Sequence, residues 1–256
     1  MLDFTRRGFV ENILKTLVNY ALLDAAISSA AIGSGMSEQA RLWSRQMNTL
    51  TSEVRTGKVT PTEWQDGVEQ IYAGIELSDL LAHIDFVRLQ RSFEMPEKGA
   101  KWIDLDFRRA LNLTEKLTYT TRIFGMQKGR SIVPHGHHNL LSGHLIIKGD
   151  LHVRNFERLR DEGDSLVIRP TLDKVITVRD CSTQSSLRNN VHWFTALSST
   201  AFTFDVIVQY LNPDEPCGVD CIDPLHAEKL GDGSLRARRL SHDEARMQYG
   251  GVAHHV

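Results

Sequence analysis

Cysteine is scarce in this chain: only Cys181, Cys217 and Cys221 occur among 256 residues. So thin and odd a set excludes a disulfide framework and points to a reducing, cytoplasmic setting. The gap between Cys217 and Cys221 is wider than that of most zinc knuckles, so structural thiols are the simpler reading. Positive charge is not in excess either, since 30 Lys and Arg against 32 Asp and Glu give a formal charge of −2. Without a cationic field to attract polyanions, neither nucleic acid nor an anionic membrane is expected as a partner. No uncharged apolar run reaches the roughly 20 residues that cross a bilayer. With 41% hydrophobic and 24% charged residues, what remains is a globular chain long enough for one large domain, or for a barrel with an appendage.

The first 97 residues read as helical. Phe9, Val10, Ile13, Leu14, Leu17, Ala21 and Leu22 recur on one helix face. Thr5-Arg6-Arg7-Gly8-Phe9-Val10 resembles a twin-arginine export signal, with small residues from Ser28 to Gly33. Glu11, Lys15, Asn19 and Asp24 interrupt the apolar core such a signal needs, so an amphipathic helix of the mature protein is the reading adopted, with export as the alternative. A second helix is expected over 37–56. Thr60-Pro61-Thr62-Glu63 then opens a third, with Trp64, Val68, Ile71, Tyr72 and Ile75 at helical spacing. Another helical stretch runs from Leu77 to Phe93, closed by Pro96 and Gly99.

Beyond residue 101 the period shifts to two. Strands are expected over 117–126, 131–135, 140–147, 151–156, 165–168, 174–178, 191–197 and 202–210, separated by turn formers such as Lys148-Gly149-Asp150 and Arg169-Pro170. Many short strands at this spacing predict a sandwich or barrel over 98–213. The remainder, 214–256, reads as an extension packing on the barrel. It holds one strand near 235–240 and a short helix opened by the capping box Ser241-His242-Asp243-Glu244.

Histidine is unevenly placed. His135, His137, His138, His144 and His152 fall close together and His192 follows on a later strand. Residues two apart on a strand share a face, so His135 and His137 point together into a barrel while His138 points away. Two imidazoles on one strand set two corners of a site for a late first-row metal, and a third ligand must come from another strand. A lone strand histidine is more often surface or hydrogen-bonded core; the pair is what favours a metal.

The spacing Gly129-x5-His135-x-His137-x4-Ser142-x6-Gly149 resembles the first cupin motif, with Ser142 where that family carries a glutamate ligand. The second cupin motif is degraded, since Leu187 and Asn189 replace its proline and glycine, and His192 remains as the third ligand. The fold this implies is mainly β: a cupin jelly-roll, or double-stranded β-helix, behind an N-terminal helical region. A three-histidine cupin without the glutamate resembles the thiol dioxygenases, namely cysteine dioxygenase, cysteamine dioxygenase and the plant cysteine oxidases. Pro134-His135-Gly136-His137, Gly149 to Arg154, His192-Trp193-Phe194 and the strand from Phe202 to Pro213 carry that likeness, over about 117–213.

The resemblance implies iron(II) on His135, His137 and His192, with zinc, nickel or manganese as alternatives, and a small thiol or other anionic substrate together with dioxygen. His144 and Tyr210 are then the candidate catalytic side chains. His144 shares strand parity with Ser142, while Tyr210 lies one residue beyond the family's tyrosine. Arg122 and Ser142 are the candidate substrate-binding residues, a surface salt bridge being the plainer reading of Arg122. Two other classes stay open: a redox-neutral lyase or isomerase using the metal as Lewis acid, and a ligand sensor with no turnover. The helical half could serve a homodimer, though covering the barrel is its simpler role.

Overall fold

The computed structural model describes residues 35–111 and 113–251. The amphipathic face from Phe9 to Leu22 and the paired arginines lie outside the described residues. Residues 40–251 belong to one compact unit. Among the described residues no helix is long and apolar enough to cross a membrane.

Four helices come first: α1 (Gly35–Arg55), α2 (Pro61–Ala73), α3 (Leu77–His83) and α4 (Phe86–Ser92). The start of α2 follows from its sequence. The Thr60 hydroxyl accepts from the Glu63 backbone, the Glu63 carboxylate accepts from the Thr60 backbone, and Pro61 fills the first helical position. The single helix expected between Leu77 and Phe93 is instead two. Asp85 sits at φ 47°, in the left-handed region an aspartate tolerates, and turns the chain between the buried Ile84 and Phe86.

After β1 (Lys101–Leu105) and the single turn α5 (Phe107–Ala110) the chain is almost wholly extended. The strands are β2 (Thr120–Gln127), β3 (Ser131–His138), β4 (Leu140–Lys148), β5 (Leu151–Glu162), β6 (Ser165–Ile176), β7 (Cys181–Gln184), β8 (Val191–Ala196) and β9 (Thr200–Gln209). There follow β10 (Gly218–Ile222), β11 (Glu228–Lys229), β12 (Leu235–Leu240) and the closing helix α6 (His242–Tyr249). Strand orders are β1-β2-β9-β4-β7 in one sheet and β10-β3-β8-β5-β6-β12-β11 in the other, and the inter-strand pairs are antiparallel. Within β2 to β9 the first strand pairs the last, β3 pairs β8, β4 pairs β7 and β5 pairs β6. That nesting is a jelly-roll, the double-stranded β-helix of cupin type.

Two strand readings change. The two strands expected over 165–168 and 174–178 are one, β6, which runs through Pro170. Its ladder with β5 shifts register at Phe156 opposite Pro170, and such irregular positions tolerate the missing N–H. The tail is also more than a cover. β10 pairs both β3 and β12, and β12 pairs β6, so the second sheet continues into the tail and curls back on itself.

Alternation divides β9. Phe202 and Phe204 face the helical layer, where they meet Phe86 (centroids 5.3 Å), Phe93 (5.2 Å) and Trp43 (5.9 Å). On β4, Gly143 faces the same way. A methyl there would stand 2.8 Å from Val68, and the Gly143 carbonyl accepts from the Tyr72 hydroxyl at 2.9 Å. Ser142 and His144 therefore point to the barrel interior. Met126, Ile146, Leu151, Val153 and Phe194 fill part of that interior, whereas Phe156, Leu166, Ile168 and Val191 form a second cluster with Ile222 and Ala237 of the tail, Phe156 and Val191 pairing on the face of the sheet away from His192.

Candidate metal centre and its cavity

β3 and β8 are paired so that His135 lies directly opposite His192, which puts both rings on one side of the sheet. His137 follows two positions on. Each of the three offers a ring nitrogen within 4.8 Å of the others, and the ring centroids are 4.2 to 5.0 Å apart. The three histidines could hold a metal ion.

Donor chemistry tests that fit. His135 Nδ1 lies 2.8 Å from the Val133 carbonyl, an acceptor only, so Nδ1 carries the proton and Nε2 keeps its lone pair. The Nε2 atoms of His135 and His137 then approach to 3.2 Å. That approach suits two nitrogens directed at one cation. Burial pushes all three rings toward the neutral, ligating form. The His135 imidazolium is disfavoured until about pH 4, chiefly by desolvation and then by the neighbouring His144 and His242. His137 and His192 are driven well below the ordinary histidine value by desolvation first and by the neighbouring His135 second. The rings are not equally anchored. Nδ1 of His137 and of His192 is buried without a partner among the described residues, so these two are held by packing. His192 stacks at 4.9 Å from Phe194 and 5.1 Å from His144.

His144 joins the centre through a neighbour that the sequence reading overlooked. On β9, Asp205 stands directly opposite it and is fully buried, with Oδ2 2.7 Å from His144 Nδ1. This is an ion-pair contact without the alignment of a directed hydrogen bond. A carboxylate is rarely buried unless paired, and His144 is the ionisable group in contact with it. On its other side His144 Nε2 lies 3.2 Å from the Ser142 hydroxyl, which donates to Gln184 Oε1 at 3.1 Å. Gln184 and Asn155 both donate to the Ser182 hydroxyl, at 2.8 and 3.1 Å. A buried polar chain thus links β9, β4, β7 and β5 beside the three imidazoles. Asp205 carried one sequence signal, a lone acid within the apolar run Phe202 to Val208.

The structure brings His135, His137, His192, His144, Ser142 and Arg122 to one cavity of about 660 Å³. Arg122 is engaged there: its Nε donates to Asp104 at 2.7 Å and its guanidinium stands 5.8 Å from the Trp102 ring. Tyr210 is the correction. It follows the end of β9 at φ 51°, so the chain turns and throws the ring outward. The residue is 55% exposed, and the cavity lining does not include it. Two rim residues were not anticipated, Trp102 on β1 and Arg246 on α6, because both lie outside the stretch that carries the cupin resemblance.

No family model and no curated protein sequence matches the chain. Among solved structures it is similar to procruciferin, an 11S globulin from Brassica napus, at 12% identity over 51% of this chain and 29% of that one, with a TM-score of 0.35. Recombinant oxalate oxidase in complex with glycolate gives 18% identity over 48% of this chain and 55% of that one, with a TM-score of 0.34. A protein with a double-stranded β-helix domain from Klebsiella pneumoniae gives 10%, 52%, 87% and 0.35 in the same order. The aligned part is thus under a third of the globulin and about half of the oxidase. Scores this low add nothing to the strand order described above.

Proposed function

We propose that this chain is a metal-dependent enzyme of cupin fold, a non-haem iron(II) dioxygenase that oxidises a small thiol or another anionic substrate. The observation that carries the reading is the convergence of three neutral imidazoles, two buried and one half-buried, on one wall of a cavity. Iron(II) bound there would supply the redox chemistry of oxygen transfer and leave coordination positions open to substrate and dioxygen. With three neutral ligands, and Ser142 in place of a carboxylate, the metal's charge is not offset by the protein, which favours an anionic substrate.

The chain's own residues supply the rest. His135, His137 and His192 hold the ion. Asp205 stands against the Nδ1 side of His144 and Nε2 faces the Ser142 hydroxyl, a polar pair able to pass a proton to or from a bound substrate. Arg122 adds positive charge to the wall. The jelly-roll interior and the helical layer behind β4 and β9 exclude bulk water. The three free thiols fit a reducing, cytoplasmic setting.

One observation favours a second reading. The His144–Asp205 pair has the make-up of a general base, which a redox-neutral lyase or isomerase with a Lewis-acid metal also needs. Oxygen uptake separates the two, since turnover that persists under anaerobic conditions selects the redox-neutral class. The metal assignment itself is tested by elemental analysis of freshly purified protein. About one ion per chain is expected, falling to a small residue in His135→Ala and in His192→Ala. Full metal content in both variants would falsify the site.

A further inference from the structure

The shape and charge of the cavity rim narrow the ligand further than the metal does. At about 660 Å³ the cavity lies within the range of roughly 300–1,000 Å³ that encloses drug-sized ligands, well beyond what a three-carbon thiol fills. Its wall toward solvent is apolar and aromatic. Trp102 is 48% exposed, with its ring 5.7 Å from that of Phe124, and Val219 stands 49% exposed on the same lining. A half-exposed tryptophan beside a cavity is surface that a ligand can cover.

Charge on the lining has one sign. Lys101, Arg122 and Arg246 contribute to it, and no aspartate or glutamate does. Two of the three cations are engaged: Lys101 donates to Glu94 at 3.2 Å and Arg122 to Asp104 at 2.7 Å. Arg246 on α6 makes no ion pair among the described residues, and His242, one turn earlier on the same helix, lines the cavity beside it. A guanidinium with no carboxylate partner among the described residues, at the mouth of a cavity whose solvent-side wall is apolar, matches a planar bidentate anion.

We infer that the ligand of this cavity is an amphiphilic carboxylate, with an apolar or aryl body lying along Trp102 and a carboxylate met by Arg246. The inference deepens the enzymatic reading above and rests on it only for the claim that the ligand is a substrate. Placement on Trp102 and Arg246 does not require the metal.

The probes are 3-phenylpropionate, its neutral amide 3-phenylpropanamide, and propionate, titrated by calorimetry into the full chain before and after removal of metal by a chelator. The acid is expected to bind at least about tenfold more tightly than the amide, and at least about tenfold more tightly than propionate. Arg246→Gln should collapse the acid-to-amide ratio toward one without changing amide binding, and Arg246→Lys should keep part of it. Trp102→Ala should weaken both phenyl probes alike. Equal binding of acid and amide by the unaltered protein overturns the inference. So does a ratio that survives Arg246→Gln, or one that is lost in Arg122→Gln instead. Absence of metal with intact charge discrimination counts against the enzymatic reading alone, whereas metal present without discrimination counts against this inference alone.

Discussion

Removing the Asp205 carboxylate should damage the protein more than removing any surface charge. Asp205 is fully buried and its ionisable contact is the His144 ring at 2.7 Å. Asp205→Ala strands that imidazole in the interior, and a buried partner left alone costs about 3–5 kcal/mol. Asp205→Asn keeps a polar group of the same shape against the ring and loses only the charge, so about 1–2 kcal/mol is expected. His144→Phe strands the carboxylate and should again cost about 3–5 kcal/mol. In the double variant Asp205→Ala/His144→Phe neither partner remains stranded, so its loss should fall short of the sum of the singles by about 2 kcal/mol or more. The measurement is urea unfolding of the metal-free protein, followed by circular dichroism. Because His144 stacks 5.1 Å from His192, the single variants should also weaken metal affinity about 10–100-fold. An Asp205→Ala loss below about 1 kcal/mol, or strict additivity, would show that the pair is not coupled.

Three further outcomes follow from the same geometry. In the metal-free protein the His135 ring protonates at about pH 4, against 6.5 for an ordinary histidine, so between those values the unfolded chain binds more protons and stability falls as pH drops. This ring alone accounts for a loss of about 3 kcal/mol, with stability fully kept above about pH 6.5, and because His137 and His192 shift the same way, thermal melts across that window should show a loss at least this large. Gly143→Ala forces a methyl to within 2.8 Å of Val68 and should cost about 1–3 kcal/mol by urea unfolding, with reduced metal content because its neighbours Ser142 and His144 shift. Tyr210→Phe should leave stability within about 0.5 kcal/mol and metal content unchanged, since its hydroxyl lies outside the cavity.

The barrel was legible because many short strand-forming runs follow one another between turn formers from β2 to β9. His135 and His137 were legible because two positions apart on a strand means one face. His192 needed the resemblance, because its pairing with β3 is fixed by the nesting of strands rather than by nearby sequence. Asp205 escaped because an acid in an alternating strand reads as a solvent-facing position. Only the register of β9 against β4 reveals that its face is the interior. Pro170 read as a turn, whereas the register shift in the ladder with β5 lets the strand pass through it. Tyr210 was misplaced because its left-handed backbone conformation has no signature in a tyrosine.

The hydrogen bond from Tyr72 to the Gly143 carbonyl bears on how this molecule can be divided. Excising 98–213 as a free-standing module would strip α2 from β4 and lay bare Phe202, Phe204 and the flat glycine face that Val68 covers. That surface is a contiguous apolar patch of the kind that drives self-association. The excised piece would also lose the tail strands β10 and β12, exposing unpaired edges on β3 and β6. Hybrids made by grafting this barrel elsewhere must therefore carry its helical backing and its tail along.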